Sequence, residues 1–138
     1  MAGNLTNEGE ELVLEMLLRN NALPPEQLHL GLATSTLDDA STLSSISEVD
    51  DANYARLPVN FTAPTQIGDR ATCYNDDDIQ FGPWDVDEDQ SITGAFLTDA
   101  SSGTTGKIIA WFPLPEAKQP LSGETLSVPM NDFIFDLA

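Results

Sequence analysis

Basic residues are scarce in this chain: 5 Lys and Arg stand against 23 Asp and Glu, so the 138 residues carry a formal net charge of -18. Binding nucleic acid takes cations that neutralise phosphates, and an anionic membrane surface repels a polyanion, so the composition argues against both partners. Cysteine is rarer still. Cys73 is the single one, which leaves no intrachain disulfide, and between Thr72 and Tyr74 it reads as a small buried hydrophobe in a strand. His29 is the sole histidine, so no zinc set can be completed with it. The strained G-x-S-x-G turn of a serine hydrolase is missing, as are the glycine-rich loops that cradle phosphates. No stretch approaches the roughly 20 apolar residues of a membrane helix. The start, Met1-Ala2-Gly3-Asn4, lacks the basic and apolar segments of a secretory signal, so a soluble species is expected.

What is present points to a packed domain. Hydrophobic residues make up 41% of the chain, enough for a core at this length, and residues 1–138 read as one domain. The acidic surplus reads as a solvated face, with a basic partner surface as the alternative.

One helix is expected, over about 7–20. Thr6 or Asn7 can cap it, and Glu8, Glu10 and Glu11 place negative charge at the positive end of the helix dipole. Leu12 and Met16, and on a neighbouring row Val13 and Leu17, recur at four-residue spacing. Leu14 and Leu18 widen that apolar face. Asn20-Asn21 and Pro24-Pro25 stop the helix. So apolar a helix needs cover, from a sheet or from a neighbouring subunit.

The remainder reads as short strands. Leu28, Leu30 and Leu32 alternate with His29, Gly31 and Ala33. A long acidic loop over about 35–51 follows, with scattered Leu43, Ile46 and Val49, and is expected to serve as a contact arm. Leu57, Val59 and Phe61 come next, with Pro58 marking an edge strand or bulge. Strands are then expected at 71–74, 79–81, 91–97, 107–112, 125–128 and 133–137, the third and fourth joined as a hairpin by the polar, glycine-bearing stretch 98–106. This spacing predicts a mainly β fold, an antiparallel β-sandwich or jelly-roll-like domain with one N-terminal α-helix.

Candidates for chemistry are weak. Asp85, Asp87 and Asp89 alternate as in a calcium loop, but Gln90 stands where the turn needs glycine and Phe96 where it needs glutamate. Calcium is the one cofactor left open; otherwise none is expected, and no catalytic residue is assigned. Trp84 and Trp111 read as core, with a sugar platform as the alternative. Arg56, one of so few cations, is expected to pair with a carboxylate, within the chain or across a subunit boundary.

In order along the chain stand a helix over 7–19, Leu28 to Ala33, Tyr54-Ala55-Arg56-Leu57-Pro58-Val59-Asn60-Phe61, Ile79-Gln80-Phe81 with Trp84, Phe96 to Ala100, Ile109-Ala110-Trp111-Phe112-Pro113-Leu114, and Ser122 to Pro129. This series resembles a family of small tailed-bacteriophage virion proteins, often labelled tail-fibre or minor structural proteins. The chain departs from it in its very acidic stretch from Asn75 to Gln90 and in Phe112, where a small residue is common. The resemblance implies a non-enzymatic virion subunit, made in the host cytoplasm. A capsid decoration or cement role is favoured, with a tail-fibre or baseplate component as the alternative and a cation- or carbohydrate-binding adhesion module as a reading of another class. Expected partners are copies of itself, as a trimer, and a major virion protein. Leu14, Leu18, Leu43 and Ile46 are the candidate interface residues.

Overall fold

The computed structural model describes residues 2–137. Its elements in chain order are β1 (Asn4–Leu5), α1 (Asn7–Leu17), β2 (Leu28–Ala33), β3 (Leu57–Val59), β4 (Thr65–Ile67), β5 (Arg70–Tyr74), β6 (Ile79–Phe81), β7 (Ile92–Thr98), β8 (Ile108–Lys118), β9 (Leu126–Val128) and β10 (Ile134–Leu137). The fold is mainly β, its strands pair antiparallel, and the one helix lies near the N-terminus.

A five-stranded sheet in the order β1-β8-β7-β2-β3 forms the frame, with a three-stranded sheet β10-β5-β4 and the pair β6-β9 beside it. Pro58 sits in the edge strand β3 opposite His29, where its missing N–H does no harm. The main core joins one face of the frame to the smaller sheets. Leu30, Leu32, Ala95, Leu97, Ala110 and Phe112 meet Ile79, Phe81, Leu126, Val128 and Phe133. Phe112 and Phe133 stack with ring centroids 4.5 Å apart.

The opposite face of the frame carries a second cluster of Ala33, Leu37, Leu43, Phe96 and Ile108, with Ile46 and Trp111 packed against it. The acidic loop 35–51 lies against this cluster. The segment is no free arm but a cover: Ala33 bridges Glu48, the Thr34 N–H donates to the Ser47 carbonyl, and Leu37 and Leu43 point inward at 6% and 4% exposure. The reason is the sheet beneath it. A frame with one solvated face would leave Phe96 and Ile108 in water, and the segment's scattered leucines remove them from it.

One irregularity ties the helix to this frame. Leu97 pairs with Ala110 but Thr98 pairs with Ile108, so Ile109 is an extra residue in β8. Its carbonyl accepts from the Thr6 N–H at 3.0 Å, and the Thr6 hydroxyl reaches the carbonyls of Ile108 and Ile109. The same hydroxyl accepts the Gly9 N–H at 3.0 Å and so caps α1. Gly9 is obligatory because a Cβ there would lie 2.0 Å from the Ile109 oxygen. The helix is shorter than expected, ending at Leu17, with Asn20 at φ 51° closing its C-terminal turn.

Candidate interaction site

The acidic loops are organised by their own hydrogen bonds. Asp51 accepts from the backbone N–H groups of Asn53, Asp85 and Val86, the last two 34 and 35 positions away. Desolvation pushes its carboxyl up, and those three backbone donors outweigh it, so the group is held below the usual carboxylate range. Asp87 accepts from the Ser122 N–H at 2.8 Å, and the Asp85 carbonyl accepts from the Ser122 hydroxyl. Asp89 is exposed. Between them, Glu88 accepts from Trp84 Nε1 at 3.0 Å. The Asp87 carboxylate and the Asp85 backbone therefore hold this loop against Ser122, and among the described residues no three acidic, histidine or cysteine side chains converge as a metal set.

The tryptophans are likewise engaged. Trp84 is 2% exposed, so its face is closed to a sugar, and Trp111 donates through Nε1 to Asp39 at 2.9 Å. His29 is half-buried between Thr98 and Pro58, with Nδ1 enclosed and without a hydrogen-bond partner. Burial pushes the Cys73 thiol up, which disfavours the thiolate, and its Sγ donates to the Phe135 carbonyl. A groove of about 480 Å³ runs between the Leu114–Lys118 end of β8 and β9, with Glu116, Lys118 and Glu124 on its rim. It contains no histidine, cysteine or arginine among its walls.

Arg56 is the most heavily bonded side chain of the chain's polar interior. It meets both oxygens of Glu48 at 2.9 and 2.8 Å, donates to the Ala100 and Gly103 carbonyls at 3.0 and 2.7 Å, and lies 5.4 Å from the Phe96 ring centroid. Tyr54 donates to the same carboxylate at 2.7 Å and accepts from the Leu32 N–H. Burial first, then the bond and charge of Glu48, push the Tyr54 phenol far above its usual range, so it stays a donor. This network pins the 35–51 cover and the 98–107 loop to the frame.

The helix end is different. With its first turn fixed on β8, α1 half-buries Leu12, Val13 and Met16 but leaves Leu14 54%, Leu17 74% and Leu18 78% exposed. These three occupy positions i, i+3 and i+4, hence one face. Leu23 beyond the helix is 88% exposed. Contiguous exposed apolar side chains mark contact surfaces. Of the four expected contact residues, the structure thus leaves Leu14 and Leu18 at the surface and places Leu43 in the second cluster with Ile46 against it. Leu17 and Leu23 are exposed as well. Leu23 was legible only as an apolar residue stranded between the Asn20-Asn21 stop and Pro24-Pro25.

The fold is thus a mainly β domain that closes its polar loops on itself and presents a leucine-bearing helix end. Residues 4–136 match the family model described as Podophage GP4 fiber I protein gp80. The chain belongs to that family, and with it to the structural proteins of the bacteriophage virion. Comparison with curated proteins finds no significant match.

Proposed function

We propose that this chain is a non-enzymatic subunit of the phage tail fibre that works by contact with other virion proteins. The observation that carries this reading is the uncovered end of α1: Leu14, Leu17 and Leu18 stand in solvent on a helix whose first turn is rigidly fixed to the frame. A helix held in place loses little conformational freedom on docking, which favours permanent assembly. The family description favours a fibre over the capsid decoration role, because it names a fibre protein.

The test is a reconstruction of phage particles carrying an antibody fragment against this chain. Extra density on the fibres is expected. Density spread over the capsid faces would replace the fibre reading with decoration, and unlabelled particles would refute a virion role for the intact chain.

A further inference from the structure

We infer that the groove between β8 and β9 receives an extended segment of another protein, which adds to the free edge of β9 and carries lysine or arginine at alternate positions. The groove lies at the opposite end of β8 from the tie to α1, so it is a second contact surface beside the leucine face.

Two prolines open the groove. Pro113 and Pro115 stand two apart in β8, so both direct a missing N–H to the same edge of the strand. β8 pairs with β7 at Pro113 and next at Lys118, and residues 114–117 lie opposite Thr93 alone. β1 accompanies β8 only at Ala110 and Trp111. Short of donors, this run does not zip onto the strand across the groove. That strand is β9, which among the described residues pairs with β6 alone. Every residue from Glu124 to Val128 lines the groove. Successive strand residues face opposite ways, so the groove follows the edge of β9 and not one of its faces. Among the described residues, none from Thr125 to Val128 is hydrogen-bonded beyond the β6 ladder. A free edge of this kind is a template for one more strand.

Charge selects the occupant. Glu116, Glu124 and Asp132 line the groove against the single cation Lys118, which lies 3.6 Å from Glu116. The acidic loop 85–89 adds to them, because Asp87 accepts from the Ser122 N–H and the Glu88 N–H donates to the Pro120 carbonyl. An acidic segment is repelled there and a basic one drawn in. The floor is apolar, formed by half-buried Leu114 with Leu126 and Val128, which suits small apolar side chains between the cations. No aromatic ring lines the walls for a sugar to stack on. The basic residues of this chain are Arg19, Arg56, Arg70, Lys107 and Lys118, and no two of them alternate along a strand. The segment therefore comes from another protein, which leaves contacts between copies to other faces.

The test uses the purified full chain and, as probe, a capped peptide of about nine residues that alternates valine and lysine. Calorimetry should show binding that weakens as salt rises from about 50 to 500 mM. Amide exchange at 124–128 should slow on binding, and that of α1 should not change. The glutamate counterpart of the peptide should not bind. Methylating the backbone nitrogens of all the lysines, or of all the valines, keeps the charge and removes the donors of one edge. At least one of these two peptides should bind roughly tenfold more weakly or worse. Glu116→Gln with Glu124→Gln should weaken binding of the lysine peptide without changing melting, since a glutamine oxygen still accepts the Leu121 N–H. Four outcomes overturn the inference: no binding up to about 1 mM peptide, equal binding of both methylated peptides, slowed exchange only outside the groove, or slowing at 124–128 that grows with protein concentration and needs no peptide. The last would seat a second copy in the groove. Labelled fibres without peptide binding would leave the fibre role standing and remove this inference alone.

Discussion

Arg56 gathers four hydrogen bonds on one buried side chain, and its value follows from that burial. Its side chain is 4% exposed and its charge is matched by both oxygens of one carboxylate. Removing one partner of a buried pair strands the other, at a cost of about 3–5 kcal/mol. Arg56→Ala is expected to lower stability by about that amount in urea titrations, and Arg56→Lys to recover only part, since an ammonium cannot span both Glu48 oxygens and two carbonyls. A loss below about 1 kcal/mol for the alanine change would show that the network adds little. Asp51 acts on pH. Its folded carboxyl is depressed, so the stabilisation it gives is present above the ordinary carboxylate range near 4 and is lost as pH falls through its lowered folded value. Protection of the Asn53, Asp85 and Val86 amides, taken relative to their intrinsic exchange rates, should therefore fall in strong acid, and Asp51→Asn should lower it at neutral pH. Identical exchange in the variant at neutral pH would show that the three bonds do not hold the loop.

Among the elements, the cover and the helix end form a natural pair of opposites. Both carry leucines in polar company, and the sequence treats them alike, yet Leu43 is 4% exposed and Leu18 78%. Truncating Leu43 to alanine should cost about 2–5 kcal/mol, whereas Leu18→Ala should stay within about 0.5 kcal/mol, both read from denaturation midpoints. Similar costs at both sites would mean that the helix end is not free in solution. What was legible follows the same division. Strands with alternating apolar residues, such as β2, β6 and β9, and the β7–β8 pair were readable because their buried faces impose a period of two. The two-residue β1 and the fully exposed β4 offer no such pattern. The one signal for β4 was the Gly68-Asp69 turn between Ile67 and Arg70, a hairpin dipeptide with Gly68 at φ 61°. The packing of the cover was not legible because its apolar residues match the far face of a sheet assembled from distant strands, and no local spacing reports that face.

At the scale of the whole molecule the charge dominates. Self-repulsion in a chain of net charge -18 opposes the compact state, and screening relieves it. The melting temperature is expected to rise by several degrees between about 20 and 500 mM sodium chloride, as the Debye length contracts. A flat profile would mean that the acidic loops are already neutralised by their backbone donors. The kind of protein was legible in the order of its segments, and the composition correctly argued for a packed core. The surface that meets a partner was half legible. Leu14 and Leu18 follow from helical spacing, but their exposure depends on how far along the helix the frame reaches. Gly9 and the extra residue Ile109 decide that by holding the first turn close and letting the last turn overhang.

The tie between Thr6 and the Ile109 carbonyl has a mechanical meaning. A tension applied at Leu18 travels down three turns of helix and enters β8 as shear along hydrogen bonds to its backbone, without crossing a layer of side chains. β8 hands that load to β7, its neighbour across the longest ladder in the molecule. A handle tied to a strand's backbone transmits a tug where a handle resting on side chains would slip.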